Sequence, residues 1–197
     1  ETDFVAKNAD FVALANSIMD VALASGAKTV EELLQQNMGD MTVGDKLTEQ
    51  IGRIGEKLEV SDYGVLSGEL VVPYIHMGNR VGVLVQLSQC SEELTEAAKN
   101  VAMQVAAMKP VAVDESLVSQ DIINRELEMG KELAIKEGKP ENLVDKIAQG
   151  YLSRYLKENT LTNQLYVKDS SKTVKQYIDS VQKGTLVVAF KRSSTGK

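Results

Sequence analysis

At 197 residues, with 43% apolar and 25% charged side chains, the chain is long enough to bury a real core as one large domain or two small ones. Its 28 acidic residues outnumber 22 basic ones for a net charge of −6, and no block supplies the basic face of a nucleic-acid binder. No apolar run reaches membrane-spanning length, no basic-then-apolar leader opens the sequence, and a single Cys90 cannot form an internal disulfide, so the expectation is a cytoplasmic protein that works on a protein partner.

In chain order, residues 3–25 carry Phe4, Phe11, Ala15, Ile18 and Ala22 at helical spacing, with Thr2 or Asp3 as the expected cap and Gly26 as the stop. Thr29 and Glu32 predict a capping box ahead of a short helix through Gln36. A third helix follows Thr42, with Val43, Leu47, Ile51, Ile54 and Leu58 on one stripe. Residues 59–88 change texture to short β-prone runs broken by Gly68 and by Gly78-Asn79, which predicts a three-stranded antiparallel meander. A fourth helix runs from Ser91 to about Met108, closed by Pro110.

Two helices at about 120–137 and 141–158 are joined by Gly138-Lys139-Pro140, a break short enough to return them antiparallel. Their other surfaces are mostly charged, so this hairpin is expected to project. A strand near 161–168 follows, then a helix capped by Ser171 and ended by Lys183-Gly184, a last strand from Thr185 to Phe190, and a basic tail, Lys191 to Lys197, read as a solvated end. Helices on antiparallel strands make the class α+β. Phe11, Ala15, Ile18, Ala22 and Ala24 find Leu94, Ala98, Val101, Val105 and Ala107 at a constant offset, an echo that two related halves would leave, although any two alanine-rich amphipathic helices align comparably.

The residues alone show no nucleophile pattern and no metal-ligand cluster. Gly78-Asn79-Arg80-Val81-Gly82 lacks the Gly-Lys-Ser/Thr ending of a phosphate loop and precedes a strand rather than a helix. Glu31-Glu32 and Glu92-Glu93 sit in first helical turns, where they suit the helix dipole better than acid–base work. The only histidine, His76, reads as a surface residue at a hairpin end, and Cys90 lies past the following strand without supporting motif residues. On spacing, Asp3 is a helix cap, Phe4 and Ile54 complete apolar stripes, and Gly55, mid-helix, marks close approach of another backbone.

Several runs carry a resemblance across essentially the whole chain: Thr2-Asp3-Phe4-Val5-Ala6-Lys7-Asn8, Ile54-Gly55-Glu56-Lys57, the hairpin from Tyr74-Ile75-His76 to Val85, Glu137-Gly138-Lys139-Pro140 and Ser171-Lys172-Thr173-Val174. In this order they resemble the motifs of the elongation factor Ts family. The resemblance implies a core of two related α+β subdomains, at 1–90 and 91–197, with an antiparallel coiled coil at about 120–158. It implies nucleotide exchange on elongation factor Tu without bond-making chemistry, cofactor or metal.

By the same resemblance Thr2, Asp3, Phe4, Ile54, Gly55 and His76 contact that GTPase, with Asp3-Phe4 as a wedge at its nucleotide site. The hairpin is then either a docking arm or a self-association surface for a homodimer, and the alternative activity is a fragment that binds or dimerises without releasing nucleotide. Family members also carry an N-terminal ubiquitin-associated-like domain and a β-hairpin before the Thr-Asp-Phe motif, so this sequence is expected to be a core fragment with an incomplete first sheet. It departs from the family pattern at Leu165-Tyr166, at Ser170, and at Lys191-Arg192, which stand where Pro-Phe, Pro and Gly-Glu are usual.

Overall fold

A computed structural model describes residues 3–76 and 78–195, with Asp3 and Phe4 as backbone only, and the chain divides into two units, 3–65 and 66–195. Among the described residues no helix is long and apolar enough to cross a membrane.

The first unit opens with α1 (Asp3–Ala6) and α2 (Ala9–Ser25), not with the single helix expected over 3–25. The cause is Asn8. Its backbone is extended, and its side-chain oxygen accepts from the N–H of Asp10 at 2.8 Å and of Phe11 at 3.2 Å. A short amide side chain thus takes over orphan donors of a new helix start and breaks the helix that apolar spacing alone would continue. Thr2, expected as a cap, lies outside the described residues.

After α3 (Val30–Leu34), a two-residue hairpin of β1 (Asn37–Met38) and β2 (Met41–Thr42) leads into α4 (Val43–Ile54). Thr29 accepts from the Glu32 N–H at 3.1 Å, but the Glu32 carboxylate takes the Lys28 N–H instead, so half of the expected box forms. The complete box is Thr42 with Asp45. Leu14, Val43 and Leu47 form one buried cluster with Leu58 and Val60 against it, and Ala22, Ala27 and Leu33 form a second under Tyr63.

The second unit is built on a three-stranded antiparallel sheet of order β3-β4-β7, with β3 Leu70–Ile75, β4 Val81–Leu87 and β7 Val187–Ser194. Two features differ from the expected meander. The run 60–66 is not a strand, because Val60 and Tyr63 close over the first unit's core and the Tyr63 hydroxyl donates to the Ala27 carbonyl at 2.9 Å. The third strand comes instead from β7, which continues past Phe190 so that Lys191–Ser194 pair with Val81–Leu84 rather than forming a solvated tail. The pairing with β7 also places β3 and β4, which a division at 90 assigns to the first subdomain, in the second unit.

Helix α5 (Glu92–Met108), capped by Ser91, lies on this sheet and seals it with Leu94, Ala98, Val101 and Val105, all fully buried against Val83, Val85 and Leu87. Each leucine or valine so removed from water contributes about 1.5–3 kcal/mol, and the alanine methyl about 0.8 kcal/mol. Beyond a 3-10 turn at Glu115–Leu117, α6 (Gln120–Lys136) and α7 (Glu141–Asn159) form the helical hairpin. Gly130 meets Ala148, and Lys131 pairs with Asp145 at 2.8 Å, so numbers rise on one helix as they fall on the other.

β5 (Leu165–Tyr166) and β6 (Asp169–Thr173) then lead into α8 (Val174–Val181). Its cap is Thr173, in a box with Gln176, and not Ser171, whose hydroxyl is engaged with Asp169 at 2.6 Å.

The α+β class holds, and the internal echo acquires structure. α2 and α5 are both 17 residues long. In each unit a small hairpin ends in the threonine of a capping box, and the first helical valine, Val43 or Val174, is fully buried and donates its N–H to a glutamine carbonyl, of Gln36 at 2.9 Å or Gln164 at 3.0 Å. The contrast lies on α2. Met19 and Leu23 are 55% and 77% exposed, while their counterparts on α5, Ala102 and Ala106, are buried beside the sheet.

Candidate functional site

The break at Asn8 has a consequence within the first unit. α1 and the start of α2 line a cleft of about 520 Å³ whose other wall is the C-terminal end of α4, with Val5 and Asn8 on one side and Gln50, Arg53 and Ile54 on the other. Val5 and Gln50 are buried, and Ile54 is half-buried. The backbone of Asp3 and Phe4 forms the first turn of the helix that borders this cleft. Thr2 and the side chains of Asp3 and Phe4 lie outside the described residues.

Gly55 is the residue that ends α4, so it is not the mid-helix glycine expected from the stripe. Its φ of 78° is left-handed, and its N–H closes on the Ile51 carbonyl at 2.8 Å. Among the described residues a side chain there would meet no atom within 4 Å, and no backbone packs against it. The glycine is needed for conformation, as at many helix C-termini, and it fixes where the chain turns away from Ile54. Gly55→Ala is expected to cost about 1–2 kcal/mol in a thermal or urea unfolding assay. Gly55→Asn should recover part of that loss, because asparagine enters this conformation more readily. Equal losses for the two would assign Gly55 a steric role.

His76 belongs to the second unit, at the end of β3. Its N–H donates to Val81 O at 2.9 Å, and its own carbonyl accepts from Asn79 at 3.0 Å, which closes the turn between β3 and β4. Gly78 and Asn79 both have positive φ there, 86° and 55°. The His76 ring is half-buried, with Nδ1 3.1 Å from the Tyr74 hydroxyl and the ring centroids 5.9 Å apart. The expected contact residues therefore fall in two places: Ile54 and Gly55 beside α1, and His76 on the sheet of the other unit. Sequence reasoning passed over Gln50 and Arg53, although Gln50, Arg53 and Ile54 stand at i, i+3 and i+4, which puts all three on one helical face.

Among the described residues no group of three histidine, cysteine or carboxylate side chains is placed to hold a metal ion, and Cys90 is exposed and free. The second cleft, about 470 Å³ between Asp114–Ser116 and Leu186, gathers a mixed set of acidic, amide and lysine side chains without a nucleophile–base pair.

The family model described as Elongation factor TS matches residues 1–197, the whole chain. The chain belongs to the elongation factor Ts family. It is 48% identical to Elongation factor Ts of Christiangramia forsetii, a match that covers 100% of this chain and 71% of that protein. Elongation factor Ts of Amoebophilus asiaticus is 46% identical over 197 residues, and that of Porphyromonas gingivalis 45% identical over 193. The resemblance read from short motifs thus extends along the full chain, and it places the protein in translation elongation. Within this elongation factor Ts chain, the departures at Leu165-Tyr166 and Lys191-Arg192 sit on β5 and inside β7, both in regular structure.

Proposed function

We propose that the chain binds elongation factor Tu and promotes release of its GDP by disturbing the magnesium and phosphate site, with Asp3-Phe4 as the wedge and Ile54, Gly55 and His76 as holding contacts. The observation that carries this reading is the whole-chain family match, together with an Asp3-Phe4 pair whose backbone opens the helix that borders the cleft that Ile54 lines.

Exchange requires no bond to be made. A factor that binds the empty GTPase more tightly than the loaded one lowers nucleotide affinity by the same ratio, and each ~1.4 kcal/mol of that coupling is about a tenfold change. Phenylalanine suits a wedge because it presents a large rigid area with few torsions to fix, and a carboxylate can compete for groups around a metal-bound phosphate.

Release of a fluorescent GDP from elongation factor Tu tests the reading. The wild-type chain should speed release, and Phe4→Ala should slow that stimulated rate by about tenfold or more, since a buried aromatic anchor is typically worth at least ~2 kcal/mol. A stimulated rate unchanged by Phe4→Ala would remove the wedge.

A second reading, binding or self-association without exchange, draws on the helical hairpin, where Met129, Leu133 and Leu143 are each more than 40% exposed. Capture of elongation factor Tu with no change in GDP release would select it.

A further inference from the structure

The sheet β3-β4-β7 brings a cation, Arg192, into the rows beside His76. Register puts Tyr74, Val83 and Arg192 in one row across the three strands, and Val81 and Ser194 in the next row, which His76 extends through its N–H to the Val81 carbonyl. Alternate residues of a strand share a face, so His76 lies on the face of Tyr74, and Ser194 on that of Arg192. The Tyr74–His76 contact at 3.1 Å and the Arg192–Ser194 contact at 3.4 Å run along this face.

Arg192 is poorly satisfied where it stands. Among the described residues its buried Nε has no hydrogen-bond partner, its hydrogen bond to Ser194 is at the long limit, and it makes no ion pair. A guanidinium partly withdrawn from water and left without an anion is a cost to the folded chain, one that an incoming carboxylate would offset. With Nε turned inward and Nη1 already donating to Ser194, the remaining N–H groups of the two terminal nitrogens are the ones left to fork to a carboxylate.

We propose that Arg192, flanked by Ser194 and by the Tyr74–His76 pair, receives an acidic side chain of the partner GTPase and extends the His76 contact across the sheet. This rests on the exchange reading above. A protein carboxylate fits better than a nucleic acid, because one guanidinium beside Ser194, Tyr74 and His76 on its face, with Lys191 on the alternate one and a chain of net charge −6, matches a single negative charge rather than a run of phosphates. Sequence reading missed the residue because it ended the strand at Phe190 and took Arg192 for part of a solvated tail.

The test is titration of nucleotide-free elongation factor Tu with the wild-type chain, Arg192→Gln and Arg192→Lys at two salt concentrations, with thermal unfolding of each. Arg192→Gln should bind at least about tenfold more weakly, with a flatter salt dependence, and should melt no lower than wild type, since it removes an unpartnered group. Arg192→Lys should recover only part of the affinity, because it keeps the charge and loses the fork. If Arg192→Gln binds as wild type does, or if it melts clearly lower, the residue is not a recognition site and the proposal falls while the exchange reading stands. If the wild-type chain neither binds nor releases GDP, both fall together.

Discussion

Gln104→Leu is expected to lower the stability of the second unit by about 3 kcal/mol, although it replaces a fully buried polar side chain with an apolar one of similar size. Gln104 lies on α5 and serves as a stand-in for a missing strand. Its amide nitrogen donates to the Leu165 carbonyl at 3.1 Å and to Gln164 Oε1 at 3.2 Å, while its oxygen accepts from the Val167 N–H at 2.8 Å. Leu165 and Val167 are two residues apart, so one side-chain amide satisfies a donor and an acceptor on the same edge, as a peptide group of a neighbouring strand would. Leucine leaves both backbone groups without this partner at a half-buried edge and strips the buried Gln164 Oε1 of its donor. That costs about 1–3 kcal/mol for each group that water does not reach, and burial of the leucine recovers only part of it.

In a chain of this size 3 kcal/mol corresponds to roughly 6–12 °C in melting temperature. Gln104→Glu sharpens the test. The introduced carboxylate keeps the acceptor but brings a charge against two oxygens, so the variant should be least stable at neutral pH. It should regain stability relative to wild type as pH falls through its raised titration range, because the protonated carboxyl again has a hydrogen to donate to Leu165. A loss for Gln104→Leu below about 1 kcal/mol, or a pH-independent deficit for Gln104→Glu, would remove the clamp from the account.

The same residue illustrates what a linear reading can and cannot see. Helices α5, α6 and α7 were legible to within a residue or two because apolar spacing, caps and breakers all act over one or two turns. Gln104 sits inside α5 at a position whose partners are some 60 residues away, and helical spacing marks it only as a polar interruption. The misread strand at 60–66 failed for the same reason. Val60 and Tyr63 have strand-like composition, but the ladder partner for β4 arrives from residues 187–194, and composition does not say which distant segment will pair.

At the candidate site the balance is similar. The Thr2-Asp3-Phe4, Ile54-Gly55 and His76 motifs are singled out by resemblance alone, and the helix-ending conformation of Gly55 was not legible. Whether a helix runs through a glycine or stops at it depends on a φ value that the neighbouring stripe does not encode. Arg192 needed both the true length of β7 and its register against Val83.

Two alanine substitutions on the helical hairpin should have opposite signs. Gly130 on α6 faces α7 at close range: a Cβ built there would lie 2.9 Å from the Ala148 Cα, 3.2 Å from the Tyr151 Cβ and 3.3 Å from the Ala148 Cβ. The nearest obstacle is backbone, not the end of a flexible side chain, so the helices must part locally. Gly130→Ala is therefore expected to destabilise by about 1–3 kcal/mol, in spite of the helix propensity that alanine adds. Parting the helices there also strains the Lys131–Asp145 pair at 2.8 Å one residue along, whose own exposed contribution is small.

Gly150 on α7 has nothing within 4 Å of a built Cβ and is exposed. Gly150→Ala should accordingly stabilise by about 0.8–1 kcal/mol, the full propensity difference in a helix interior. Urea unfolding of the two variants beside wild type separates the causes, since propensity alone predicts equal gains and contact at the interface predicts a change of sign. If Gly130→Ala gained stability as Gly150→Ala does, the helices would not be held as closely as the Gly130–Ala148 approach requires, and the hairpin would owe its pairing to Ala134, Ala148 and Leu152, its buried apolar side chains.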